Sequence, residues 1–224
     1  MRLLRVLAAA FTSAVLLSQP LAAQEGRQFK DAWFWGLKGG TMLYSSASAT
    51  TAVAPFVGAD WVITRTRGGL YVSYDQALMS TLGSFPDRDP ANTPFEHFVD
   101  LENMRRVSIA ALIFPRQTPT LHPYLGAGFA LSQIATATLQ GGAGSTSRYA
   151  QAQDSVQAKR TSLSPVFMGG AQFRLPTFSV FAHATASPRQ NDFFLARREG
   201  GAAFNLSLEG GIRYNVGSSI DKTR

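Results

Sequence analysis

The sequence predicts an all-β fold, an eight-stranded antiparallel up-and-down transmembrane β-barrel that follows a cleaved export segment. Three observations carry the prediction. The N-terminus has the layout of a signal peptide, eight later segments alternate apolar with small or polar residues, and the connections between them are short and long in turn.

Arg2 and Arg5 give a positive start, Leu3 to Leu17 is largely apolar, and Pro20-Leu21-Ala22-Ala23 ends in the small residues a signal peptidase requires. Cleavage is expected after Ala23, with residues 1–23 as signal peptide, 24–217 as barrel and 218–224 as a C-terminal tail. The apolar run is short for an uncleaved membrane anchor. Arg2 and Arg5 account for two of the formal +7 charges, so the mature chain carries +5, spread along its length. That spread, without a recognition motif, speaks against nucleic acid and leaves anionic lipid headgroups as the acidic partner. The chain has no Cys, which excludes disulfides and thiolate chemistry.

The first strand, Ala32 to Tyr44, sets Trp33, Trp35, Leu37, Thr41 and Leu43 against Gly36, Lys38, Gly40 and Met42. The second, Ala52 to Arg65, opposes Val53, Val57, Ala59, Trp61 and Ile63 to Ala54, Gly58, Asp60 and Thr64. The third turns Leu70, Val72, Tyr74 and Leu78 away from Ser73 and Asp75. In the fourth, Phe98 to Phe114, Val107, Ile109, Ala111 and Ile113 face out while Glu102, Arg106, Ser108 and Ala110 face in. The fifth, His122 to Thr138, alternates Leu125, Ala127, Phe129 and Leu131 with Tyr124, Gly126, Gly128, Ala130 and Ser132. The sixth, Leu163 to Leu175, places Phe167, Ala171 and Phe173 opposite Met168, Gly170, Gln172 and Arg174. The seventh opposes Phe178, Val180, Ala182 and Ala184 to Ser179, His183 and Thr185. In the eighth, Phe204, Leu206, Leu208 and Ile212 oppose Asn205, Ser207, Glu209 and Arg213.

Short turns are expected at Arg65–Gly69, Pro115–Thr120 and Leu175–Thr177. The other connections are Ser45–Thr51, Gly83–His97, Gln140–Arg160 and Ser187–Ala203. Short periplasmic turns and longer external loops are the asymmetry of outer-membrane barrels. A water-soluble barrel of lipocalin type would share the alternation with its faces exchanged. Against it stand Lys38, Asp60, Asp75, Glu102, Arg106, Arg174, Glu209 and Arg213, all opposite the apolar stripe, where mixed signs suit an ion-paired lumen. Trp33, Phe34, Trp35, Trp61, Phe98, Phe114, Phe173 and Phe178 lie near strand ends, as interfacial aromatic girdles do. Because a buried charge without its partner is costly, Glu102→Ala and Arg106→Ala are both expected to destabilise the fold.

The segment Glu209-Gly210-Gly211-Ile212-Arg213-Tyr214-Asn215-Val216 resembles the assembly signal of bacterial outer-membrane proteins, with Glu209, Gly211, Tyr214 and Val216 at its defining positions. Pro123-Tyr124-Leu125-Gly126-Ala127-Gly128-Phe129-Ala130 and Pro165-Val166-Phe167-Met168-Gly169-Gly170-Ala171 are similar to stretches in small barrels of the OmpA-type and opacity-protein superfamily. One departure is that many members end in an aromatic residue, whereas Gly217 to Arg224 trail here, making the signal internal. The resemblance implies docking on the barrel assembly machinery, a home in outer-membrane lipid and lipopolysaccharide, and no particular activity.

Candidate chemistry is sparse. His97, His122 and His183 have no metal-ligand spacing, and no metal or other cofactor is expected. Some eight-stranded barrels deacylate lipid A with a lipid-facing Ser, His and acid, but here His183 shares its expected inward face with Thr185. Gly141-Gly142-Ala143-Gly144-Ser145 lacks the Lys-Ser/Thr ending of a phosphate loop and reads as external loop. Arg105, Arg148, Lys159, Arg160, Arg189, Arg197 and Arg198 fall in the outer half, as solvated charges or as contacts for lipopolysaccharide phosphates. No catalytic residue is assigned. The expected role is structural or surface-interacting through external loops, with a narrow channel or a lipid A hydrolase as alternatives.

Overall fold

In a computed structural model the described residues are 29–46, 51–88, 94–116, 118–140, 146–188, 193–195 and 204–218. The expected signal peptide and residues 219–224 lie outside them. The described residues form eight strands, β1 (Ala32–Tyr44), β2 (Ala52–Thr64), β3 (Gly68–Arg88), β4 (Pro94–Ile113), β5 (Leu121–Leu139), β6 (Thr161–Arg174), β7 (Ser179–Pro188) and β8 (Phe204–Ser218). Each pairs antiparallel with the next, and β8 pairs back on β1 to close the barrel. Closure satisfies both edges of every strand, which a sheet surrounded by hydrocarbon requires.

Burial follows the residue parity along each strand. Leu37, Phe129 and Leu208 are more than 60% exposed on the outer wall, whereas Lys38, Asp60, Asp75, Glu209 and Arg213 are at most 6% exposed inside. A water-soluble barrel has the opposite arrangement, so the chain is an eight-stranded transmembrane barrel. Both described chain ends and the three short turns lie on one rim, and the longer connections on the other.

Three expectations need correction. The segment 83–97 is mostly strand, because β3 runs to Arg88 and β4 starts at Pro94. The connection 140–160 contains a helix, α1 (Thr146–Lys159), which has no Gly or Pro and is rich in Ala and Gln, residues of good or tolerable helix propensity. Its Ala152 and Val156, one turn apart, are buried.

The third concerns Glu102. The β3–β4 register slips where Ala77 faces Met104 but Ser80 faces Glu102, and Asn103 adopts a left-handed φ of 54°. This bulge reverses the parity of β4. Met104 and Arg106 point inward below it, Val99 and Leu101 point inward above it, and Glu102 is left exposed on the outer face. On the neighbouring strand, Arg160 donates to the carbonyls of Ile134 (Nε, 3.2 Å) and Ala135 (Nη2, 2.7 Å). Asn tolerates this backbone conformation and Ala does not. Asn103→Ala should therefore lower stability by about 1–2 kcal/mol and Asn103→Gly by much less, measured by urea unfolding in detergent micelles.

Candidate functional site

The inward side chains of all eight strands meet in two polar nodes. At the first, Lys38 from β1 lies 2.6 Å from Glu209 Oε2 and 2.7 Å from Asp75 Oδ1, and donates to the Tyr71 hydroxyl at 2.8 Å. Arg106 from β4 completes the ring, with Nη2 3.1 Å from both Asp75 Oδ2 and Glu209 Oε1. Ser207 donates to Glu209 Oε1 at 2.9 Å, and the Thr185 hydroxyl lies 3.2 Å from the same oxygen and hydrogen-bonds Ser207. His183 Nε2 is 3.0 Å from Glu209 Oε2, while its Nδ1 is 2.8 Å from the Tyr124 hydroxyl.

At the second node Arg213 grips Asp60 through Nε and Nη2, the shortest contact being 2.7 Å, and donates from Nη1 to Gln172 Oε1 at 2.9 Å. Its guanidinium lies 3.7 Å from the centre of the Phe181 ring. Three cations (Lys38, Arg106, Arg213) thus face three carboxylates (Asp60, Asp75, Glu209), and the Lys, Arg, Asp and Glu charges balance.

Glycines make the space. A Cβ on Gly36 would lie 2.8 Å from Arg213 Cγ and 3.1 Å from Asp60 Cγ, so the second node sits against bare backbone. Gly170 likewise lies under His183.

Apolar clusters flank the nodes along the barrel. Toward the rim bearing the chain ends, Phe29, Phe34, Val62, Leu112, Phe114 and Met168 are buried together. Phe29 stacks on His122 at 3.8 Å and meets Phe114 edge-on, and Thr64 Oγ1 bonds the carbonyl of Phe29. Toward the other rim, Met42, Phe56, Val99, Leu101 and Ile134 pack with Ala152 and Val156 of α1 and with Phe193, Phe194 and Leu195. Between that cluster and Arg106 lies a small cavity lined by Ser132, Ser162, Ser164 and Ser187.

The expected site residues distribute as follows. Lys38, Asp60, Asp75, Arg106, Glu209 and Arg213 come together in the nodes. Arg174 ends β6, half-buried beside His122. Glu102 lies outside, as described. Tyr214 and Val216 are exposed on the outer wall of β8, and Gly211 sits close to Lys38, where a Cβ would come 2.9 Å from its Cα. Phe34 and Phe114 belong to the interior, not to an aromatic girdle, because each shares parity with inward residues of its strand. Trp33, Trp35 and Trp61 do cluster on the outer wall, with ring centroids 5.1–5.6 Å apart. Tyr71 and the Phe29 cluster were missed. Parity with Ser73 and Asp75 marks Tyr71 as inward, but no periodic signal precedes β1 to mark Phe29.

Fold and interior together define a small transmembrane β-barrel with a compensated polar core. No family model matches the sequence, and a search of curated proteins finds no significant match. Among solved structures, the chain is similar to Neisserial surface protein A (NspA), with a TM-score of 0.50 at 10% identity over 81% of this chain and 96% of that one. A de novo designed transmembrane β-barrel gives 0.41 at 12% identity, covering 85% and 99% of the two chains. Ail, the attachment invasion locus protein of Yersinia pestis, bound to the heparin analogue sucrose octasulfate, gives 0.39 at 11%, covering 82% and 98%. At these identities the likeness is one of fold.

Removing one partner from the first node leaves the others buried and uncompensated, at a cost of about 3–5 kcal/mol. Arg106→Ala and Glu209→Ala should each lower unfolding stability by that amount, while Glu102→Ala should change it by less than about 0.5 kcal/mol. Urea titration of the three variants in one detergent checks the contrast, and equal losses at positions 102 and 106 would contradict the assignment of faces.

Proposed function

We propose that the chain is an outer-membrane barrel of a bacterium whose filled, non-conducting lumen serves as a scaffold. Its role is then envelope-structural or surface-interacting, exercised through the longer connections. The observation that carries this reading is the ion-paired, hydrogen-bonded network lying between two buried apolar clusters, which leaves an eight-stranded lumen occupied by side chains. An ion entering would have to displace Lys38 or Arg106 from carboxylates they already neutralise. The deacylase alternative has little support, because His183 and Thr185 are committed to Glu209 inside the barrel and not directed at lipid.

The same reading includes cleavage after Ala23 and use of Glu209, Gly211, Tyr214 and Val216 as the assembly signal. On β8 Tyr214 and Val216 present side chains outward, as docking on an insertion machine by edge pairing requires.

Expression with fractionation should place the protein in the outer membrane, starting at Gln24 by mass spectrometry, and migrating faster in electrophoresis when unboiled. Reconstituted in planar bilayers, it should give no discrete conductance steps. Steady channel openings would overturn the filled lumen, and recovery in the soluble periplasmic fraction would overturn the membrane assignment.

A further inference from the structure

The two rims differ in charge. On the rim of the chain ends the described charged residues are Lys30, Arg65, Arg67, Arg116 and Arg174, against the single acid Asp31. On the opposite rim and its strand extensions, the charged residues whose side chains are described are the acids Glu96, Asp100, Glu102 and Asp154 and the cations Arg105, Lys159 and Arg160, and the guanidinium of Arg160 is committed to the carbonyls of Ile134 and Ala135. Among the described residues, excess positive charge is therefore concentrated on the rim of the chain ends. Arg65 lies 3.6 Å from Asp31 in a half-exposed ion pair, the kind that water screens strongly.

The depth of these cations is fixed by the outer wall. Trp33 pairs with Ile63 and Trp35 with Trp61, and the three indoles form one aromatic patch on β1 and β2. Arg65 follows Ile63 by two residues, about 7 Å along the chain, and Arg67 closes the same turn. Phe173 and Phe178, both exposed, mark the same level near Arg174. Tryptophan and phenylalanine at this position lie at the boundary of the hydrocarbon, so the arginines just beyond reach phosphate depth.

We propose that the rim bearing the chain ends, with Arg65 and Arg67 beside the tryptophan patch at its centre, binds the phosphodiester headgroups of anionic phospholipids in the leaflet that faces the turns. Guanidinium forks donate paired hydrogen bonds to phosphate, and the indoles seat against the upper acyl chains. The assignment rests on the membrane-spanning reading, which heat-modifiable migration tests separately. It directs lipid recognition to the leaflet opposite the longer connections, where the sequence alone had placed the candidate phosphate contacts.

The test uses the full mature barrel, folded in detergent and confirmed by heat-modifiable migration, with native mass spectrometry after adding dioleoylphosphatidylglycerol, dioleoylphosphatidylcholine or lipid A. The wild type should retain phosphatidylglycerol in preference to phosphatidylcholine. Each headgroup-level cation is worth roughly a fivefold change in binding, so R65Q/R67Q should weaken phosphatidylglycerol retention by about tenfold or more, and R105Q/K159Q at the other rim should leave it unchanged. If R65Q/R67Q fails to fold, Arg67→Gln with Arg116→Gln, neither near Asp31 in the ion pair, reads the same property. Equal retention of the two phospholipids, undiminished binding by the folded rim variants, or preferential binding of lipid A that R105Q/K159Q abolishes would each overturn the proposal.

Discussion

Glu209 is a carboxylate buried inside a barrel whose outer wall beside it, at Leu206, Leu208 and Leu37, is apolar, so its charge has to be answered from within. Lys38, Arg106, His183, Thr185 and Ser207 do this together. They arrive from β1, β4, β7 and β8, and each contact is possible only when those strands stand in one register. Slipping β8 by a single residue would turn Glu209 into lipid and Leu208 into the lumen. The network thus ties the closing seam between β8 and β1 to strands on the far side of the barrel.

The same demand shapes the residues that seem to do nothing. Long cationic side chains need volume, and eight strands enclose little of it. Gly36 beside the Arg213–Asp60 pair and Gly170 beside His183 provide it by presenting bare backbone. Their cost in strand propensity is offset by the ion pairs they admit, since a Cβ at either position would push the charged groups off the distances that neutralise them. Aromatic rings finish the enclosure, with Tyr71, Tyr124 and Phe181 lying against the Arg213 guanidinium.

Much of this was legible because a strand has a period of two. Once Lys38 and Leu37 are assigned opposite faces, the neighbours follow, and β2, β8 and β1 from Trp35 onward read with the right faces. The pattern failed where the backbone departs from it. Asn103 in the left-handed region costs β4 one step of alternation, and nothing in Leu101-Glu102-Asn103-Met104 distinguishes a bulge from a strand with an inward Glu. Phe34 and Phe114 were misplaced for a different reason, since nearness to a strand end was given more weight than parity. Helix α1 lay in a segment whose low apolar content hides its short buried face, Ala152 and Val156. Partner identity within the nodes was out of reach, because pairing across the lumen depends on register and closure, which alternation does not encode.

The two apolar clusters differ in origin, and the difference bears on what the barrel can present. The cluster near the chain ends is built from the strands themselves, together with Phe29 just ahead of β1. The other is completed by side chains that the connections bring back, Ala152 and Val156 from α1 and Phe193, Phe194 and Leu195 from the β7–β8 connection. Those connections are consequently anchored by burial in the barrel mouth, and the apolar surface they contribute is the same surface that covers the polar interior. A partner meeting this face would find part of it already ordered, so less conformational entropy remains to be lost on binding than with connections tethered only at their ends. Mutations that loosen the anchor would expose the network beneath it, which couples the stability of the barrel to the shape of the surface it displays.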